Sequence, residues 1–347
     1  MGQSVDRAGA VVVSVPGAGG ALAGCGAMRL VRQNAQWAGR RKLVHGLAAV
    51  LAFSMSAVAV GCVERGSGSP AGAPGAPGAA AGGLRPLEAP AEAPRAHALA
   101  APAEQARARA ARLAAATRWR LLAAPLPAPP PPARKPALHT RRGFEVHGGQ
   151  RGLPPVLTRV PTRDKVVFLT IDDGYDKDPA LPRMMADLKI PYTAFLTDYL
   201  VKDDYAYFRR LRASGATLHN HTLSHPYLPK LGYAQQRREI CGMQEVMERE
   251  YGHRPTLLRP PYGNYNRDTL LAARSCGIEA VPLWNEEIAL DRWDYRELDR
   301  KLHAGDIVLT HFSGRGEWQG TMQDMVRAFL RAVTAQGFAV ARLEDYL

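Results

Sequence analysis

Residues 143–347 predict an α/β fold with a mostly parallel sheet, and three observations carry that reading. The composition changes sharply near residue 142, where an Ala/Pro/Gly-rich stretch gives way to mixed sequence. Beyond Gly152, short β-rich runs alternate with amphipathic stretches, the pattern of strands joined by helices. The first of these runs, Val166 to Ile171, stops abruptly at Asp172, Asp173 and Gly174. Parallel barrels and open parallel sheets both present their sites at such C-terminal strand ends, so the polar residues there come first.

The elements follow in order. After the strand at Val166 to Ile171 comes a helix at Leu181 to Leu188, and Tyr192 to Leu196 gives the next strand. Gly215 stops a helix over Tyr205 to Ser214, and a third strand, Ala216 to Leu218, begins at once. Helices at Tyr233 to Tyr251 and Arg267 to Ser275 alternate with strands near Thr256 to Leu258 and Ala280 to Leu283. A strand at Asp306 to Thr310, a helix at Met322 to Gln336 and a last strand at Ala339 to Leu343 complete the chain.

Residues 1–62 read as an export segment. Arg40, Arg41 and Lys42 precede an almost entirely apolar run from Leu43 to Gly61, with small residues before Cys62. The order Ala59-Val60-Gly61-Cys62 resembles a lipobox that would leave Cys62 lipid-anchored, and the apolar run also approaches the roughly 20 residues of a membrane-spanning anchor. Arg40-Arg41 fits either a twin-arginine signal or a plain positive region for general export, and either Met1 or Met28 could open the segment. The expected location is extracytoplasmic, secreted or attached to membrane or wall. Residues 63–142 read as a disordered Ala/Pro-rich tether, because such composition buries too little apolar surface to offset chain entropy. Polyproline preference stiffens it near Pro125 to Pro132, and Ala103 to Leu122 is helical only with tertiary support.

Charge separates the two parts. Residues 1–142 hold 18 Lys/Arg against 5 Asp/Glu, whereas 143–347 hold 27 of each, so the net +13 sits wholly in the N-terminal part. A neutral domain lacks the clustered cations that dominate phosphate binding, which excludes nucleic acid as a partner. The basic excess suits an anionic membrane or wall polymer, or simply keeps an Ala-rich segment soluble. Cys241 and Cys276 fall in neighbouring predicted helices, and an exported domain is expected to oxidise them to a disulfide.

Four segments carry chemistry. At a strand end, Asp172 and Asp173 point different ways, so one can ligate a metal while the other faces its activated water, although Asp-Asp-Gly is also a common turn. His221 and His225, four residues apart, would share one helical face and with Asp173 make a His, His, Asp set that leaves a fourth position for water. In Arg259-Pro260-Pro261-Tyr262-Gly263, two prolines remove backbone donors and stiffen the loop. That arrangement can aim the Tyr262 amide at an oxyanion and leave Arg259 to hold a carboxylate. Asp306 to Phe312 is a strand whose end presents His311.

In this order the four segments resemble the polysaccharide deacetylase, or NodB-homology, family, whose motifs read Thr-Phe-Asp-Asp-Gly, His-Ser/Thr-x-x-His, Arg-x-Pro-Tyr and Leu-x-His. The resemblance covers about residues 164–347. It implies a distorted, incomplete (β/α) barrel and a divalent metal ion, Zn2+ first among the candidates. By the same resemblance Asp173, His221 and His225 are the metal ligands, Asp172 the general base, Arg259 its orienter, Tyr262 the source of the oxyanion amide and His311 the general acid. The implied activity is hydrolysis of N-acetyl groups on an extracellular or cell-wall polysaccharide, with release of acetate. The same set could serve another small amide or an O-acetyl ester, whereas a non-catalytic wall-binding domain would not need both Asp172 and His311. Which polymer is the substrate, and the oligomeric state, stay open.

The resemblance has two departures. The tryptophan-containing segment runs Trp284-Asn285-Glu286-Glu287-Ile288-Ala289-Leu290-Asp291-Arg292-Trp293 with altered spacing, and Asp291 is expected to take the place of the Asp that buttresses the acid histidine. His219 stands where the family often has Gly, and is expected to be a strand-end neighbour and not a ligand.

Overall fold

The structure, a computed structural model, describes residues 93–347, with side chains from residue 102 onward. The expected export segment and the first part of the expected tether lie outside the described residues. Among the described residues no helix is long and apolar enough to cross a membrane.

Ordered structure begins before residue 143. Helix α1 (Ala93–Arg118) is followed by an extended stretch laid along the domain. An Ala/Arg-rich helix is marginal alone, and here tertiary contacts hold it: Ala115 and Ala116 are buried, and Arg118 Nη1 and Trp119 Nε1 both donate to Asp187 Oδ2, at 2.9 and 3.0 Å. Beyond the prolines, the Arg141 side chain donates to Thr158 Oγ1 and to Asn285 Oδ1. Part of the segment expected as a tether is therefore folded onto the domain.

The strands then appear largely where the sequence puts them. β1 (Val156–Leu157), β2 (Val166–Asp173), β3 (Tyr192–Leu196) and β4 (Ala216–Asn220) are separated after β2 by α2 (Leu181–Leu188), α3 (Asp198–Val201) and α4 (Tyr205–Ala213). α5 (Tyr233–Tyr251) and α6 (Arg267–Ser275) lead to β5 (Val281–Pro282), β6 (Glu286–Ala289), β7 (Arg292–Tyr295) and β8 (Ile307–His311), and α7 (Met322–Ala335) to β9 (Ala339–Val340). The main sheet runs β4-β3-β2-β8-β6-β7 with β9 also on β2, and every pairing is parallel except β6 with β7. It does not close. Past β4 the links are single bridges, Asn220 to Leu258 and Leu257 to Ala280, so the expected strand near Thr256 to Leu258 is only a pair of bridges. The result is an incomplete barrel.

β2 is covered on both faces. Val166 and Phe168 pack in the cluster that contains Phe195, Ile307 and Leu309, whereas Val167, Leu169 and Ile171 pack against α2, α4 and α7 through Met184, Phe208 and Phe329. Burial on both sides is why this strand reads as one continuous apolar run. Helix starts are set locally: Asn266 Oδ1 accepts from Thr269 N at the start of α6, and Thr321 and Asp324 bond reciprocally at the start of α7. Cys241 in α5 and Cys276 after α6 form a disulfide with Cα atoms 5.1 Å apart.

Candidate active site

Strand alternation sets the site. Phe168, Thr170 and Asp172 share one face of β2, and the register pairs Asp172 with His311 on β8, where Ile307, Leu309 and His311 also share a face. Asp172 and His311 therefore emerge side by side at the C-terminal strand ends. Asp173, the last residue of β2, would point to the opposite face, but its backbone has φ 79°, which departs from the strand's alternation, and its carboxylate faces the loop after β4. Gly174, at φ +95°, follows in a space where a Cβ would sit 2.4 Å from Val201 Cγ1, so this bend requires glycine.

Asp172 is buried and held. Arg259 Nη1 donates to Asp172 Oδ1 and to Thr170 Oγ1, both at 2.8 Å, while its Nε and Nη2 donate to the Pro282 and Leu283 carbonyls. The guanidinium is fully buried, with its carbon 4.4 Å from the centre of the Phe195 ring and 5.7 Å from that of Trp284. Burial pulls its pKa down, and the Asp172 charge opposes that pull. A planar fork with four fixed acceptors leaves Asp172 Oδ1 no freedom, and only Oδ2 is left to act.

Asp173, His221 and His225 converge, with one donor atom from each within 4.8 Å of the others. Nε2 of His221 and Nε2 of His225 each lie 3.4 Å from Asp173 Oδ1, which is buried and has no hydrogen-bond donor. The His221 Nδ1–H donates to the Arg259 carbonyl at 2.6 Å, which directs Nε2 at Asp173, and although burial opposes it, the Asp172 and Asp173 carboxylates raise the pKa of this ring. Burial opposes ionisation of Asp173, but the close contact with His221, and the nearby His311, outweigh it and hold the carboxyl well below its usual range. Burial, followed by the neighbouring His221, lowers His225 to about 4, so its ring is neutral at ordinary pH.

The two histidines do not share a helix, contrary to the spacing argument. They lie on the loop after β4, in which Thr222 and His225 have φ 74° and 57° and the Asn220 side chain accepts from Thr222 N at 2.9 Å. Side-chain capture of the backbone replaces helical hydrogen bonds. In the Arg259 loop, Tyr262 has φ 61°, its ring packs on His225 at 4.6 Å, and among the described residues its N–H has no partner.

His311 is partly exposed at the mouth. The carboxylate that approaches it is that of Glu287, with Oε1 3.9 Å from His311 Nδ1. Asp291, expected in that role, lies exposed in the turn between β6 and β7, and among the described residues it makes no ion pair or hydrogen bond with His311. The reason is register: β6 is parallel to β8 with Glu287 opposite Leu309, so Glu287 and His311 lie on one face of adjacent strands. The signal was a strand-like alternation in Glu286 to Ala289, hidden inside the altered tryptophan segment. His219 lies outside the trio of converging donors. It is buried in β4, and its Nε2 lies 2.9 Å from Glu344.

Comparison with known proteins gives the family. The pattern of the family described as polysaccharide deacetylase matches residues 159–281. An uncharacterised Streptomyces coelicolor protein is 40% identical over 219 residues, spanning 62% of this chain and 87% of that one. The chitooligosaccharide deacetylase of Sinorhizobium fredii is 30% identical over 159 residues, 42% of this chain and 71% of its own length. The peptidoglycan-N-acetylmuramic acid deacetylase PdaC of Bacillus subtilis is 29% identical over 202 residues, 54% of this chain and 40% of its own. With fold, motif order and these relatives in agreement, the chain belongs to the polysaccharide deacetylase family in its NodB-homology form.

Proposed function

We propose that this chain removes acetyl groups from the N-acetylated sugars of a cell-wall or extracellular polysaccharide, hydrolysing the amide C–N bond to a free amine and acetate. The observation that carries the reading is a convergence in one mouth. A carboxylate clamped by a buried arginine (Asp172), a trio of ligand atoms (Asp173, His221, His225) and a partly exposed imidazole backed by a carboxylate (His311, Glu287) stand together. The named deacetylases of chitooligosaccharide and peptidoglycan support the substrate class.

The trio fits a divalent cation. Bonds of about 2.0–2.1 Å at tetrahedral angles set ligand atoms about 3.4 Å apart, the separation found from Asp173 Oδ1 to each histidine. The nitrogen and carboxylate donors favour Zn2+. When bound, such an ion polarises the acetyl carbonyl and makes water a better nucleophile.

The chain's own groups do the rest. Asp172 Oδ2 accepts the proton of the attacking water, because Oδ1 is committed to Arg259. The Tyr262 N–H, aimed by its left-handed backbone, donates to the oxyanion of the tetrahedral intermediate. The C–N bond then breaks, with the amine taking its proton from His311, and Glu287 orients that ring. The Cys241–Cys276 disulfide supports an oxidising, extracytoplasmic location, with Cys62 or the apolar run before it as the attachment.

Acetate release from N-acetylglucosamine oligomers and from peptidoglycan tests this, with loss on chelation and recovery with Zn2+ expected. Zinc-loaded protein that spares every N-acetylated glycan yet cleaves an O-acetyl ester would move the assignment to ester hydrolysis.

A further inference from the structure

A second set of ligand-type side chains gathers at the other end of β8, away from the catalytic mouth. Glu286 opens β6, Asp306 immediately precedes β8, and His303 lies on the loop between β7 and β8. One donor atom from each lies within 4.8 Å of the others, and Glu286 and Asp306 are fully buried.

The network around them satisfies Asp306 at both oxygens, with His303 N donating to Oδ2 at 2.6 Å and Asn285 Nδ2 to Oδ1 at 3.2 Å, and sets His303 Nε2 3.1 Å from Asp299 Oδ2, but it reaches only one side of Glu286 and of the His303 ring. Arg159 Nε donates to Asp306 Oδ1 at 2.5 Å and its Nη2 to Glu297 Oε1 at 2.8 Å, while Asn285 Nδ2 donates to Glu286 Oε1 at 2.9 Å. Of the other cations nearby, Arg141 reaches Thr158, Asn285 and, at 3.9 Å, Glu297 Oε1, and Arg296 donates to the Trp284 carbonyl. Glu286 Oε2 and His303 Nδ1 are left buried with no hydrogen-bond partner. Nδ1 stands 3.5 Å from Glu297 Oε2 and 3.6 Å from Asp306 Oδ2. The contact with Asp306 comes close to the spacing of the catalytic trio, suited to atoms that share an ion. A buried carboxylate oxygen without a donor is costly, and a cation removes that cost.

We propose that Glu286, His303 and Asp306 form a second divalent-cation site, which pins the loop before β8 to the start of β6. One imidazole and two carboxylates make a Zn2+- or Mn2+-type donor set, and the partly exposed His303 ring gives the ion its way in. The site is structural and takes no part in deacetylation.

Elemental analysis of the full chain, equilibrated with Zn2+ and freed of unbound ion by gel filtration, tests the proposal. About two zinc ions per chain are expected, falling by about one in His303→Ala and in Glu286→Gln with acetate release preserved. Asp173→Ala should also lose about one, and adding His303→Ala to it should remove the remainder. Should Glu286→Gln fail to fold, the half-exposed His303→Ala decides alone. Unchanged zinc content in His303→Ala overturns the site, and is the outcome expected if Glu286 and Asp306 instead share a proton.

Discussion

Asp173, Thr222, His225 and Tyr262 have positive φ without being glycine, and all four surround one mouth. Such conformations cost of order 1–3 kcal/mol each and persist where their surroundings over-determine them, so function is the economical reading of the cluster. The roles proposed for its neighbours separate by measurement. Asp173→Ala, His221→Ala and His225→Ala each remove one of three ligands and should strip the catalytic ion. Asp172→Asn and His311→Ala should keep it while kcat falls by about 100 to 10,000-fold, the usual worth of a general base or acid. Metal analysis beside steady-state kinetics decides, and equal metal loss in both groups would sink the division of roles. Glu287 acts on His311 from 3.9 Å and Asp291 does not touch it. Glu287→Gln should therefore lower kcat about tenfold, with Asp291→Asn indistinguishable from the native protein. The reverse pattern would restore Asp291 to the buttressing role.

Among the elements, the loops that carry His221, His225 and Tyr262 are braced from outside the site. His221 leans on the Arg259 carbonyl, and Leu223 N, in the same loop, donates to the Glu239 carbonyl of α5. α5 is itself tied to the end of α6 by the Cys241–Cys276 disulfide, which closes a loop with a sequence separation of 35. In the chain-entropy account a loop of that size is worth about 3–4 kcal/mol. Cys276→Ser should lower the urea midpoint accordingly and abolish the native protein's sensitivity to reductant. An unchanged midpoint would mean that helix packing alone holds α5 to α6.

At the level of the whole molecule, the turn at Leu343–Asp345 ties the neighbouring strands β3 and β4 together. Glu344 accepts from Thr193 and Thr217 on β3 and β4 and lies 2.9 Å from His219 Nε2. Burial opposes its ionisation, but the hydrogen bonds from His219 and Thr217 prevail and hold its pKa below the usual 4.5. A depressed carboxyl stabilises the fold above about pH 4.5, and that contribution is lost as pH falls through the lower folded-state value. Glu344→Gln should thus lower Tm near pH 7, and the gap to the native protein should narrow as pH falls below about 4.5. A gap independent of pH would assign the residue a packing role only.

The amino-acid sequence by itself determined the alternation of strands and helices, the polar strand ends at Asp172, Asp173 and His311, and the order of motifs that identifies the family. These are local: periodicity, punctuation and adjacency are written along the chain. It did not reveal the hairpin of β6 and β7, which places Glu287 beside His311 and swings Asp291 to an exposed turn, because cross-strand register depends on partners far apart in sequence. Nor did it reveal that His221 and His225 sit on a loop, where Asn220 captures the backbone that a four-residue spacing alone would wind into a helix. Over Ala103 to Arg118 the helix that needed tertiary support has it, and the stretch beyond, read from composition as tether, is laid on the domain. Composition measures what a segment can bury within itself, and only the tertiary structure supplies Asp187 and the domain surface against which it packs.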